Sequence, residues 1–351
     1  MKEKKTILFP FVGDSVGGSQ IATRVLISNL KSIQYNFEVL IFNDSGDLSD
    51  YFSKYKIKFT IIRKKGKDQY FSVFKEFIYN FFYVKSFLKE KNISLVHTND
   101  IRMHYLWSLY SITNKFYHIW HQHSAFYSRR NILFSLLSKR IITVSNYCKE
   151  SFTTNMSKRS IVVGNPFERY SHRQIYKSKK KIVSYIGNSN TQKRAKFFVE
   201  IAKKINKKNN KIFFHMLGDT PYSIVEINSL KKYNIRHFKK NYEIRNFLRN
   251  SVLLVAPAVN EGFGRTLIEA MLLKVPVLAS DSGAHKELIL NNKNGLLAKS
   301  DNLNDFSEKI LKLLLDDNKK RIDLAFNFSA ENFNIEVYLN KIKYLYDSVF
   351  T

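Results

Sequence analysis

Residues 261–269 read Glu261-Gly-Phe-Gly-Arg-Thr-Leu-Ile-Glu269, two carboxylates separated by seven residues with a Gly-Phe-Gly turn after the first. The apolar run Val252-Leu-Leu-Val-Ala-Pro-Ala258 upstream reads as a buried parallel strand, and Val275-Pro-Val-Leu-Ala279 downstream reads as the next one. Residues 265–274 are then the connecting helix, and both glutamates face one ligand site. Each can accept hydrogen bonds from sugar hydroxyls. Gly262 and Gly264 let the backbone approach closely, and a helix amino terminus favours an anion, so the expected ligand carries both hydroxyls and phosphate.

Outward from this segment, strand-like and helix-like runs alternate, which predicts an α/β architecture with a doubly wound sheet formed twice. In the first half the expected strands are Ile7–Phe11, Phe37–Phe42, Phe59–Ile62, Leu95–His97, His118–Trp120, Ile141–Val144 and Ser160–Val163. Gly17-Gly-Ser-Gln20 opens a helix through about Leu30, and Asn165-Pro166 punctuates the end of the half. The second half begins with Lys181–Gly187 and continues through Phe213–Leu217 to the two glutamates. Residues 331–351 are expected to form a terminal helix. At 351 residues the chain has room for two domains, each with its own core.

Composition narrows the function classes. The formal charge of +29 is spread evenly, with 26 basic against 12 acidic residues in 1–170 and 32 against 17 in the remainder. No helix-turn-helix, finger or base-stacking motif accompanies it, so nucleic acid is not an expected partner. Such a field does draw a protein toward anionic lipid surfaces and anionic substrates. No apolar run approaches the ~20 residues of a bilayer-spanning helix. Met1-Lys-Glu-Lys-Lys5 leads directly into the first strand, which reads as the absence of a secretory leader. The single cysteine, Cys148, has no intramolecular disulfide partner, and the expected location is the cytoplasm.

The segment 261–269 resembles the Glu-x7-Glu signature of retaining glycosyltransferases of family 4. Glu269-Ala270-Met271, Pro276-Val277, and Gly283-Ala284 with Glu287 follow it in the family's register. The resemblance implies the GT-B fold, two Rossmann-like doubly wound domains facing across a cleft. Residues 1–167 would form the acceptor-side domain and 168–330 the nucleotide-sugar domain, with the helix 331–351 crossing back to the first. It implies transfer of a sugar, with retention, from a nucleoside-diphosphate donor to a glycan or lipid-linked acceptor. The setting implied is bacterial surface polysaccharide (capsule, O-antigen or lipopolysaccharide) synthesis by an enzyme peripheral to the inner face of the cell membrane. A GT-B-fold sugar-nucleotide epimerase is the alternative, although such an enzyme is not expected to show Glu-x7-Glu.

By the same resemblance Glu269 holds the donor ribose, Glu261 the transferred sugar, and the Gly262, Phe263 and Gly264 backbone the sugar and diphosphate. Tyr185-Ile-Gly-Asn-Ser-Asn-Thr-Gln-Lys193 stands where the family has Gly-Arg-Leu-x3-Lys. Lys193 aligns with the diphosphate-binding lysine. Asn188 replaces the arginine, so one positive charge is missing and adjacent Arg194 is the candidate to compensate. Gly17-Gly18 lacks a full dinucleotide fingerprint, yet in this family a Gly-Gly turn lies opposite the diphosphate, with Gly18 the closer of the two.

His118-Ile-Trp-His-Gln-His123 suggests a metal through His121 and His123, but no third ligand lies close in sequence. No metal and no cofactor are expected. The family position instead assigns His123 to donor sugar or acceptor, with His121 second. Finally, Tyr70–Leu88 is crowded with aromatics and reads as a core helix whose polar stripe is Ser72, Lys75-Glu76, Asn80 and Ser86. The alternative is a face that rests on a membrane with Lys85, Lys89 and Arg63-Lys-Lys65.

Overall fold

Strand runs such as Ile7-Leu-Phe9 are apolar at every position, a pattern that suits parallel strands covered by helices on both faces, and all three residues are fully buried. The computed structural model describes residues 4–13, 16–30, 35–42, 46–62, 72–125, 128–168, 180–188, 190–239, 243–290 and 292–351. The chain divides into two compact units, Met1–Pro166 with Ile335–Thr351, and Phe167–Asn334.

The first unit holds β1 (Lys5–Phe11), β2 (Tyr35–Ile41), β3 (Thr60–Ile61), β4 (Ile93–Thr98), β5 (Tyr117–Gln122), β6 (Arg140–Thr143) and β7 (Ser160–Val162). They pair in parallel in the order β3-β2-β1-β4-β5-β6-β7. The second unit holds β8 (Lys181–Ile186), β9 (Ile212–Leu217), β10 (Ile235–Phe238), β11 (Leu253–Ala256), β12 (Val277–Ser280) and β13 (Leu296–Ala298). Their order, β10-β9-β8-β11-β12-β13, is the same winding scheme, again all parallel. Each unit is therefore a Rossmann-like sheet. Winding reverses between β1 and β4 in one and between β8 and β11 in the other, and the loops leaving the carboxyl ends of such a strand pair diverge to leave a ligand crevice.

The last helix, Ile335–Phe350, belongs to the first unit. Tyr338, Ile342, Leu345, Tyr346 and Val349 recur at helical spacing and join the core formed by Ile7, Phe9, Leu95 and Ile119. This helix starts at 335 instead of the expected 331 because residues through Asn332 complete the helix Lys319–Asn332. Phe333 then donates back to Ser329 O at 3.1 Å and accepts from Phe167 N at 2.8 Å, which ends that helix within the second unit.

The aromatic helix, Val73–Glu90, departs in part from the sequence-based assignment of its faces: Ser72, Lys75 and Ser86 of the polar stripe are exposed, but two of its members turn inward. Tyr70, Phe71 and Arg63-Lys-Lys65 lie outside the described residues. Glu76 and Asn80, read as part of the polar stripe, are buried, and Glu76 pairs with Arg102 of the helix Ile101–Thr113. Val84, Phe87 and Leu88 join them on the inward face, packing with Met103, Leu106, Trp107 and Tyr110. Phe74 (62% exposed), Ile78 and Phe82 (83%) line the opposite side at i, i+4 and i+8. Aromatics all round the helix hid which side was inward, and the Arg102 guanidinium, far away in sequence, is what makes burial of Glu76 tolerable.

Candidate active site

In the second unit, the loops after β8 and β11 meet at the winding reversal. After β8 the chain turns through Gly187, where a Cβ would lie 2.2 Å from Tyr185 Oη, so no larger residue fits without displacing that buried ring. A short 3-10 turn, Thr191–Lys193, follows, with Asn190 Oδ1 accepting from Gln192 N at 2.9 Å. Gln192 O in turn accepts from Val259 N at 2.9 Å, tying this loop to the one that carries Glu261. Lys193 Nζ reaches Glu261 Oε2 at 2.5 Å. Residues 68 positions apart are thereby brought together as a charge pair.

Glu261 is held from three sides. Its backbone O accepts from Ala284 N at 2.9 Å, and a Cβ on Gly283, at φ +62°, would lie 2.5 Å from Glu261 N. Gly264 (φ +90°) caps the helix Arg265–Leu272 and its amide donates to the Glu261 carboxylate. Burial pushes the Glu261 pKa up, but Lys193 and the Gly264 amide outweigh it and leave the carboxyl below its usual range. The side chain keeps 17% exposure and Lys193 29%, so a charged pair remains accessible to a ligand. Gly283→Ala is expected to displace the Glu261 backbone and weaken ligand binding along with stability, because the left-handed φ and the steric clash act at the same residue. Calorimetric titration of that variant checks this expectation.

Glu269 lies one turn into the helix Arg265–Leu272 and is buried. Burial raises its pKa, and Arg265, whose Nη2 lies 3.6 Å from Glu269 Oε1, opposes that rise without cancelling it. The Arg265 guanidinium stacks on the Phe167 ring at 4.4 Å, and its Nη1 is buried without a hydrogen-bond partner. Arg265 was not singled out from sequence, because one arginine in a chain with 58 basic residues carries no signal of its own. His285 is a second such residue: it is buried, its Nδ1 lies 3.0 Å from Ser280 Oγ, and burial lowers its pKa to about 4, so it stays neutral beside the Lys193–Glu261 pair.

The other expected residues divide. Phe263 is buried, stacked on Phe167 (ring centroids 6.2 Å) and edge-on to Phe333 (5.5 Å), so its side chain anchors the turn. Asn188 is exposed and its Oδ1 accepts from Asn190 N at 3.2 Å, shaping the loop before Lys193. Arg194 turns away from Lys193. It sits at φ +57°, bonds Ser300 O and Asp301 Oδ1 (2.9 Å), and stacks on Phe197 at 4.0 Å, so here it does not replace the charge missing at Asn188.

In the first unit the carboxyl ends of β1, β4 and β5 carry the remaining candidates. Gly18 opens the helix Gly18–Asn29, and Gln20 Oε1 reaches back to accept from Gly17 N at 3.0 Å. His123 Nε2 lies 3.2 Å from Asn99 Oδ1, and its ring packs on His121 with centroids 4.2 Å apart. His121 is buried and its Nδ1 lies 3.1 Å from His97 Nε2, whose own Nδ1 lies 2.8 Å from Tyr346 Oη. His121 is thus a member of an internal network, and His123 stands at its partly exposed end.

Residues 167–327 match the family model described as glycosyl transferases group 1. The second unit carries a group 1 glycosyltransferase domain. An uncharacterized glycosyltransferase of Methanocaldococcus jannaschii is 31% identical over 186 residues, covering 50% of this chain and 50% of that protein. The N,N'-diacetylbacillosaminyl-diphospho-undecaprenol alpha-1,3-N-acetylgalactosaminyltransferase of Campylobacter jejuni is 31% identical over 173 residues, 49% of this chain and 46% of that protein. The matched stretch thus spans about half the length of these curated relatives. An Anabaena protein solved in complex with UDP and glucose superposes with a TM-score of 0.79 at 15% identity, over 97% of this chain and 99% of its own. The fold is accordingly GT-B. All of the Glu261, Lys193, Glu269 and His285 cluster falls inside the group 1 domain.

Proposed function

We propose that the protein is a retaining glycosyltransferase that moves a sugar from a nucleoside-diphosphate donor to a glycan or lipid-linked acceptor in surface polysaccharide synthesis. The observation that carries this reading is the Lys193–Glu261 pair at the β8/β11 reversal within the group 1 domain. A cation and an anion held side by side suit a ligand with a diphosphate at one end and hydroxyls at the other. Lys193 and the helix amino terminus at Gly264 stabilise the departing diphosphate, Glu261 orients the transferred sugar, and Glu269 accepts from the ribose hydroxyls. Gly18 and His123 are the first unit's contribution to substrate binding. In this reading the leaving diphosphate oxygen takes the acceptor's proton as the new glycosidic bond forms on the same face of the sugar.

Thermal shift against a panel of UDP-, GDP- and ADP-sugars tests the donor assignment, since a ligand that binds only the folded state raises stability as ln(1 + [L]/Kd). One nucleotide class is expected to raise the midpoint; no shift with any of them would remove the donor site from this unit. With the matching donor, Glu269→Gln is expected to lower affinity by roughly 1.5–3 kcal/mol, the worth of a hydrogen bond to a charged group. Calorimetry showing unchanged affinity would take Glu269 out of the site.

A lipid-linked acceptor is supported by the undecaprenol in the Campylobacter relative's name and by the surface of the first unit. Among the described residues no helix is long and apolar enough to cross a membrane. Phe74, Ile78 and Phe82 of the helix Val73–Glu90, and Leu133 and Leu136 of the helix Arg129–Ser135 and its carboxyl end, are exposed, with Lys75, Lys85 and Lys89 also exposed on the aromatic helix. Aromatics beside lysines form an interfacial surface for anionic bilayers. Sedimentation with phosphatidylglycerol vesicles is expected to capture the protein, and Phe74→Glu with Phe82→Glu to abolish capture without unfolding it. Equal capture of the double variant would return this face to solvent.

A further inference from the structure

The second unit contains a cavity of about 670 Å³ that no part of the proposed reaction uses. It lies at the amino ends of the three central strands: Lys181 begins β8, Val252 donates to Ile182 O (2.9 Å) just before β11, and Pro276 accepts from Leu254 N (2.9 Å) just before β12. Lys193 and Glu261 follow the carboxyl ends of β8 and β11, so the cavity is at the opposite edge of the same sheet.

Its floor is mostly apolar, made by Val252, Pro276, Leu313, Leu314 and Ile322, with the buried polar residues Ser251 and Asn318 beside them. Its lip is cationic. Lys181, Arg249 and Lys319 line it and their side-chain charges meet no carboxylate among the described residues. Lys274 is the one lip cation already neutralised, by Asp323 at 3.2 Å. Asp317 accepts from the Lys319 amide at 3.0 Å and is the remaining acid, so positive charge is in excess. Three cations gathered over one apolar hollow repel each other, and water alone does not favour the arrangement. An occupant with an apolar body and a negative head relieves the repulsion and covers the floor, in a volume within the ordinary range for small-molecule sites.

We infer that this cavity binds a single-chain anionic amphiphile, with the chain on Leu314 and Ile322 and the head between Lys181 and Arg249. Calorimetric titration of the full chain with decyl phosphate below its micelle concentration tests the site. Inorganic phosphate and decanol serve as the head-only and chain-only probes. Decyl phosphate is expected to bind at least about tenfold more tightly than either, and Lys181→Glu with Arg249→Glu to weaken it by at least about tenfold. The variant should retain the wild-type response to the donor, which reports its folding independently of the cavity. Equal affinity of the variant and wild type, or of decanol and decyl phosphate, would overturn the inference. Sedimentation with phosphatidylglycerol vesicles then identifies the source: weaker capture of the double variant assigns the head to a bilayer lipid, and undiminished capture assigns it to a free amphiphile.

Discussion

Lys193→Ala is expected to lower turnover by about 10²- to 10³-fold, the loss typical of removing one donor that stabilises a developing anion. Two consequences of the 2.5 Å pair with Glu261 act together. On the proposed reading the donor diphosphate loses a stabilising cation, and the Glu261 carboxylate, whose pKa is held down against burial chiefly by Lys193, is left uncompensated. Its pKa should then rise, and residual activity should shift its acid limb to higher pH. Lys193→Arg restores charge but not the point-like ammonium, so partial rescue with the acid limb returned is expected. An alanine variant with near wild-type turnover and an unmoved pH profile would show that the pair is structural only.

Acid is expected to unfold the first unit well above the pH at which carboxylates titrate. His97, His104, His118 and His121 are buried there, and burial lowers all four pKa values, those of His97 and His118 to about 3. A histidine whose folded pKa lies below its unfolded value of about 6.5 binds its proton more readily when unfolded. Its stabilising contribution is complete above pH 6.5 and is lost as pH falls toward the folded value, at up to about 1.4 kcal/mol per pH unit for each group. Both tryptophans, Trp107 and Trp120, are buried in this unit, and Trp120 stacks on His104 at 4.2 Å, so tryptophan fluorescence reports on it selectively. The fluorescence-monitored urea midpoint should fall steeply from pH 6.5 to 5. A midpoint flat across that range would mean that these imidazoles are already protonated or reached by water.

The elements that position the site were legible where apolar runs are continuous. β8, β9, β11 and β12 fall on the segments read as strands, because each is a largely apolar run with no acidic or basic side chain in its interior other than His215. β10 (Ile-Arg-His-Phe) and β13 (Leu-Leu-Ala) were not seen. The first carries two consecutive polar residues, Arg236 and His237, at a sheet edge, and the second is too short to show a period. Lys193 and Glu261 were named from motif positions, but their pairing depends on β8 and β11 being neighbours, which periodicity does not reveal. The direction of the Arg194 side chain was not legible for a related reason. Its left-handed backbone turns the side chain toward Ser300 and Asp301, and a chain-adjacent position gave no hint of partners more than 100 residues away. The aromatic helix shows the converse limit: its inward Glu76 is explained only by Arg102, on another helix, while Asn80 donates to the Glu76 carbonyl one turn back.

Transfer itself is measured most directly by supplying the matched donor, radiolabelled in its sugar, with and without an extract of lipid-linked and glycan acceptors. The expected result is label moving into an acceptor with nucleoside diphosphate released in equal amount, the new linkage keeping the donor's anomeric configuration, and no conversion of the donor when acceptor is withheld. A sugar that changes configuration on the nucleotide without acceptor, or a donor left intact in both arms by protein that binds it, would contradict glycosyl transfer.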